Sequence, residues 1–186
     1  MKREIRVMGI DDSPFTKFGQ GNTLILGTIF RGGLFLDGVV STTARVDGIN
    51  ATKKLSEMVN RCKFRQHLQA LLLDGIAVGG FNVIDIHALY QKTGIPVIVI
   101  IRKMPDLPRI KGILMGLGKK GKIRLIEKAG IPIKVGNLYV QFCGIEIQAV
   151  KEILSITCTR SLIPEPIRVA HLFAQGIYFG ESRGDA

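Results

Sequence analysis

The sequence predicts an α/β protein built on a mixed sheet, three antiparallel strands followed by parallel strands, flanked by helices. Three observations predict it. Up to Val46 the chain holds only short β-rich runs separated by turn residues. At Ala51–Phe64 the apolar spacing changes to that of an amphipathic helix. Beyond it, short and almost wholly apolar runs alternate with helical stretches, the pattern of strands buried on both faces.

Arg6–Asp11, carrying Val7, Met8 and Ile10, reads as a short buried strand stopped by Asp11-Asp12-Ser13-Pro14. A loop over Phe15–Asn22 leads to a second strand, Thr23–Phe30. Arg31-Gly32-Gly33 then turns the chain into a third, Leu34–Val46. Turns this short join strands only in antiparallel fashion. In Ala51–Phe64, Leu55, Met58, Val59 and Cys62 fall at i, i+3, i+4 and i+7. Gln69–Asp74 is a fourth strand, with Leu71-Leu72-Leu73 bounded by Asp74-Gly75. Phe81–Tyr90 reads as a second helix with Phe81, Ile84, Ala88 and Leu89 on one side, and Ile95–Ile101 as a β-branched strand. A helix between two such strands implies a right-handed parallel crossover.

After Lys103, Gly112–Gly118 and Lys122–Ala129 read as short helices. Ile131–Ile133 and Asn137–Cys143 read as an accessory hairpin turning at Val135-Gly136-Asn137, and Glu146–Ser155 as a helix. The last helix opens at Pro164-Glu165-Pro166, with Pro166 suited to the first helical position, and runs through Ile177. There is neither an internal repeat nor a linker, so one domain over residues 1–186 is expected.

Composition narrows the function. A chain of 186 residues that is 46% apolar can bury a substantial core, which excludes a disordered protein. The longest apolar run, Ile95–Ile101, falls well short of the roughly 18 residues of a membrane span. The charged start, Met1 to Arg6, has no apolar stretch behind it, so a cytoplasmic protein without a membrane partner is expected. Cys62, Cys143 and Cys158 make no C-x-x-C pair, and His67, His87 and His171 lie far apart, which argues against a zinc site or a disulfide framework. Signatures of serine hydrolases, P-loop NTPases and Rossmann dehydrogenases are missing.

The net charge of +11 is unevenly placed. Arg102–Lys134 holds ten basic residues against Asp106 and Glu127 alone. Arg109, Lys111, Lys119, Lys120, Lys122 and Arg124, around the glycine-punctuated stretch Gly116–Lys122, are candidate phosphate contacts. Nucleic acid is the expected partner, bound through its backbone. The plainer reading is a solvated helix face.

Asp11 ends the first strand and Asp74 the fourth. If those strands are neighbours, the two carboxylates meet at one edge. Converging carboxylates repel unless a proton or cation intervenes. Oxygen ligands so placed suit Mg²⁺ or Mn²⁺, either of which can activate water against a phosphodiester. Alternatively, Asp12-Ser13 and Asp74-Gly75 are ordinary turn residues. Asp85 and His87, two apart on a helix, point in different directions, and His171 reads as a packing or surface residue.

Four patterns resemble endonuclease V and its relatives in the ribonuclease H-like superfamily: Gly9-Ile10-Asp11, Leu72-Leu73-Asp74-Gly75, Gly94-Ile95-Pro96-Val97-Ile98 leading to Arg102-Lys103, and Leu162 through His171. A mainly archaeal cousin family, domain of unknown function ninety-nine, is similar over nearly the whole chain. That likeness runs through Gly9–Phe15, Val46–Thr52 and Asp74–Asn82. The resemblance implies cleavage of DNA or RNA near deaminated bases, with metal held by Asp11, Asp74 and a glutamate between them. Near that glutamate's place stand Lys53 and Lys54, so Asp12 or Asp47 is the candidate substitute. The catalytic histidine of endonuclease V falls near Cys143, where there is none, and its fifth-strand lysine falls at Arg102, beside Lys103. Its lesion-pocket loop is replaced by Val78-Gly79-Gly80-Phe81-Asn82, which makes Gly79, Gly80 and Asn82 candidate cleft residues. Gly79-Gly80 either lets backbone approach a ligand or makes a tight turn.

Two hypotheses follow. One is a divergent metal-dependent phosphodiesterase using Asp11 and Asp74, with Arg102 or Lys103 stabilising developing charge. The other is a nucleic-acid- or protein-binding module that kept the fold and lost the chemistry. An exposed edge of the meander leaves room for a homodimer.

Overall fold

The expected meander forms from β1 (Arg6–Asp12), β2 (Asn22–Arg31) and β3 (Phe35–Arg45), each antiparallel to the next. The computed structural model describes residues 4–16 and 21–183. Residues 17–20 of the loop expected over Phe15–Asn22, and the start at Met1–Arg3, lie outside them. After the meander come α1 (Ala51–Arg61) and β4 (Ala70–Asp74), and β4 lies parallel to β1 with Ile10 opposite Leu73. A two-stranded hairpin, β5 (Ala77–Val78) and β6 (Asn82–Val83), precedes α2 (Ile86–Thr93). β7 (Val97–Ile101) then runs parallel to β4. The chain continues through α3 (Leu107–Gly116), α4 (Lys120–Lys128), β8 (Ile133–Val135), β9 (Leu138–Cys143), α5 (Ile147–Thr157) and α6 (Glu165–Phe179). The seven-stranded sheet has the order β3-β2-β1-β4-β7-β9-β8. Among the described residues no helix is long and apolar enough to cross a membrane.

Four expectations need correction. Phe81–Tyr90 is not one helix. Gly79 and Gly80, at φ of 54° and 81°, fold the chain back as a hairpin. The helix begins only at Ile86, where the Asp85 side chain accepts the Ala88 N–H. The β8–β9 hairpin is not accessory, because β9 pairs along β7 and extends the main sheet. α3 starts at Leu107 and not at Gly112, since the Asp106 carboxylate caps it by accepting the Arg109 N–H. Finally, Glu165 takes the first position of α6 and Pro166 the second.

Alternation along the buried strands sorts their side chains to two faces. Met8, Ile10, Leu71, Leu73, Val97 and Val99 face α1 and α2. Val7, Leu72, Ile98 and Ile100 face α5 and α6. Each fully buried aliphatic side chain here contributes about 1.5–3 kcal/mol. Gly9 breaks the second row for a steric reason: a Cβ there would lie 2.3 Å from the carbonyl carbon of Pro166. Its bare backbone lets the first turn of α6 rest on β1. The Thr28 hydroxyl secures that turn by donating to the Pro166 carbonyl at 2.6 Å. A third small core of Val83, Leu114, Ile123 and Ile126 fastens α3 and α4 to β6.

Candidate metal centre

The parallel pairing of β1 with β4 and the period-2 alternation decide where the acidic side chains go. Asp11 follows Ile10 and Asp74 follows Leu73, and those two apolar residues are partners in the register. Asp11 and Asp74 therefore stand side by side at the strand ends, both on the face covered by α6. From that helix comes His171, whose Nδ1 lies 2.7 Å from Asp11 Oδ2. One ligand atom from each of Asp11, Asp74 and His171 falls within 4.8 Å of the others, and the described residues hold no other such group of three. Arg102, just past β7, donates from Nη2 to Asp74 Oδ2 at 3.1 Å. These side chains open into a cavity of about 440 Å³ that is also lined by Asp12, Phe15 and Lys103.

The surroundings set the protonation states. Burial, reinforced by the charge of Asp11 and opposed by Arg102, pushes Asp74 up to about 6. Burial also pushes Asp12 up to about 7, against the Gly79 N–H that its carboxylate accepts. The hydrogen bond to Asp11 raises His171 above the ordinary histidine value. Gln175 fixes the ring's tautomer. Its Oε1 accepts the Arg183 N–H at 2.8 Å, so its Nε2 donates to His171 Nε2 at 2.8 Å. That leaves Nδ1–H to face Asp11. The rim is thus crowded with carboxylates whose repulsion a cation would relieve.

Several residues singled out from the sequence sit elsewhere. Asp12 lines the cavity but points from the other face of β1, where its Oδ2 accepts the Gly79 N–H at 2.9 Å. Asp47 is not in the group. It sits at φ 52°, and its Oδ1 accepts the Phe81 N–H at 2.8 Å. Gly80 is tight against it, since a Cβ there would come within 2.6 Å of Asp47 Oδ1. Asn82 is wholly buried and serves as a splint, not a cleft residue. Its Oδ1 accepts the Ala51 N–H, and its Nδ2 donates to Asn50 Oδ1 and the Arg45 carbonyl. Lys53 and Lys54 pair with Glu57 along α1.

The histidine sought near Cys143 is not supplied there. Cys143 pairs with Val97, at the far end of β7 from Arg102, and its Sγ lies 3.3 Å from His87 Nδ1. A histidine does reach the carboxylates, from α6 instead: His171, read from the sequence as a packing or surface residue, bonds Asp11. A signal for it existed. Ile167, Ala170 and Ala174 are buried, and His171 lies on the same helical stripe, which turns it toward the sheet.

The basic segment is less uniform than its composition. Arg109, Lys120 and Arg124 are exposed, and Lys119 is half-buried. Lys111 is paired with Glu127 at 2.8 Å. Lys122 is a strut: it is 6% exposed, and its Nζ donates to the carbonyls of Asp47 and Phe81 at 2.7 and 2.6 Å. Burial pushes its pKa down.

Comparison with known proteins agrees with this geometry. The profile of the Endonuclease dU family matches residues 3–178. A UPF0215 protein of Methanothermobacter thermautotrophicus is 49% identical over 100% of this chain and 94% of its own. The crystal structure of a protein of unknown function from Archaeoglobus fulgidus superposes with a TM-score of 0.86 at 34% identity, covering 92% of this chain and 97% of that one. The fold is shared, at a TM-score of 0.56 and 16% identity, with Ciona intestinalis endonuclease V in complex with a 24mer DNA containing an inosine followed by a ribo-adenosine. There the match covers 89% of this chain and 82% of the other. With a family profile spanning nearly the whole chain and a relative aligned end to end, this protein belongs to the Endonuclease dU family.

Proposed function

We propose that this chain is a metal-dependent endonuclease that cuts a nucleic-acid strand at a deaminated nucleotide, deoxyuridine being the first candidate. The observation that carries the reading is the convergence of Asp11, Asp74 and His171 at the ends of adjacent strands. The description of its family and the inosine-containing DNA bound by the Ciona protein support the substrate class. The strand order supports membership of the ribonuclease H-like superfamily.

The donors fit a hard divalent cation. Asp11 and Asp74 would hold it through oxygen, with His171 Nδ1 within reach once it releases the proton facing Asp11. Mn²⁺ tolerates an imidazole donor better than Mg²⁺ does. A cation so held would polarise a phosphoryl oxygen and acidify its water. Around it the chain supplies the rest. Arg102 and Lys103 stand at the rim where charge develops on the scissile phosphate. If the cation sits on the two carboxylates alone, His171, kept in one tautomer by Gln175, instead holds a proton at Nδ1 beside the reacting group. The exposed Arg109, Lys120 and Arg124 follow in the chain directly after this rim and suit the strand's backbone. The contrary reading, a module without cleavage chemistry, rested on the missing glutamate, the missing histidine and the replaced lesion-pocket loop, and His171 answers the second of these alone.

The test is Mn²⁺-dependent cleavage of oligonucleotides carrying one deoxyuridine or deoxyinosine. Cleavage by the wild type and none by Asp11→Asn or Asp74→Asn is expected. Equal cleavage by these variants, or none by any protein with either cation, would remove the proposal.

A further inference from the structure

Beside the carboxylate cavity lies a second one of about 410 Å³ that the metal centre leaves unused. Arg102 lines both, so this residue is their common wall. The other walls are Leu138, at the start of β9, and Leu162-Ile163, just before α6. The Ser161 hydroxyl donates to the Ile163 carbonyl and accepts the Ile163 N–H, which closes residues 161–163 into a preformed edge. Asn137, in the β8–β9 turn, is exposed, and its amide makes no side-chain hydrogen bond among the described residues. Leu162, a large apolar side chain at the lip, is 67% exposed.

Those features select a class of ligand. Apolar walls, one guanidinium plane and one amide suit a flat heterocycle with a polar edge, and the volume lies within the usual range for small-ligand sites. A base can enter such a recess only when it is unstacked. We propose that the second cavity receives an unstacked nucleobase adjoining the phosphate held at the carboxylate rim. The proposal rests on the nuclease reading for the position of that phosphate. The base itself is bound by Leu138, Leu162, Asn137 and the guanidinium face of Arg102, and Asn137 is the residue placed to discriminate between bases.

The experiment separates this proposal from cleavage by working in EDTA. Single-stranded DNA carrying 5-iododeoxyuridine at successive positions is bound to the full chain at low salt and irradiated, and the cross-linked peptides are sequenced. Cross-links to Asn137–Leu138 or Ser161–Ile163 from one position of the strand are expected. Mn²⁺ is expected to raise the Tm of the wild-type protein, and Asn137→Ala and Leu162→Ala should keep that rise while each weakens binding of that oligonucleotide about five- to tenfold. Cross-links confined to Gly75–Phe81 or α6, wild-type affinity in both variants, or no binding at low salt would overturn it. Cross-links in the second cavity from a protein that never cleaves would uphold the cavity and sink the nuclease reading alone.

Discussion

Asp11 and Asp12 are consecutive on β1, yet their carboxylates enter two different worlds. Asp11 faces α6 and, besides accepting the Asp12 N–H at Oδ1, meets other side chains, the imidazole of His171 and the carboxylate of Asp74. Asp12 faces the glycine hairpin and meets backbone, the Gly79 N–H. The same contrast extends outward. Around Asp12, the partners of Asp47, Asn82 and Lys122 include backbone N–H and C=O groups that would otherwise be buried unsatisfied. Around Asp11, like charges are held together, offset by Arg102 and His171. Polar side chains that satisfy backbone hold a fold in place, whereas side chains that confront one another keep capacity for an external charge.

That contrast can be broken. The largest effect belongs to the α6 face: single-turnover cleavage should fall below detection in Asp11→Asn and by about 10²–10⁴ in His171→Ala, with little change in Tm. A His171→Ala protein as fast as wild type would return the histidine to a packing role.

On the hairpin face the expected effects are on stability. Asn82→Ala leaves the Ala51 N–H unsatisfied, and Lys122→Met strips two carbonyls of their donor. Each should cost about 1–3 kcal/mol in urea unfolding while the Mn²⁺-induced rise in Tm stays intact. Loss of the Mn²⁺ response in either would mean that the two faces are coupled.

A smaller effect sharpens the electrostatic side. Replacing Lys120 and Arg124 together should flatten the salt dependence of oligonucleotide binding by roughly one unit per contact. Lys122→Met should leave the slope unchanged. A slope altered only by Lys122→Met would reverse the assignment.

The last effect is one of pH. Asp12 at about 7 and Asp74 at about 6 both lie above the ordinary carboxylate value of 3.8. The folded state therefore binds more protons than the unfolded one between those limits, so stability in EDTA should decline as pH rises from about 4 to 7. His171, also raised, acts with the same sign, its contribution fading as pH climbs through its folded value. Asp12→Asn should flatten the upper part of the decline in Tm, and an unchanged profile would contradict the burial argument.

Much of the frame was legible in advance. Period-2 runs and short turns yielded the meander, and placing β1 beside β4 was enough to bring Asp11 and Asp74 together. What escaped has a common cause in tertiary approach. Gly9 reads as an ordinary strand glycine until α6 is seen lying on it at a distance no Cβ allows. His171, judged by itself, looked like surface; judged with Ile167, Ala170 and Ala174, it faces inward. Lys122 was counted by its charge, although Ile123 and Ile126 already marked the buried side of α4. The helix misplaced at Phe81 failed because apolar spacing cannot register the two positive φ angles that precede it.

The bare patch at Gly9 also dictates an order of events. The imidazole is contributed 160 positions after its carboxylate partner, by a helix that can settle only once the strands beneath it exist. During synthesis Asp11 and Asp74 emerge first and His171 last. On the nuclease reading, the set of Asp11, Asp74 and His171 is complete only when that last helix has docked.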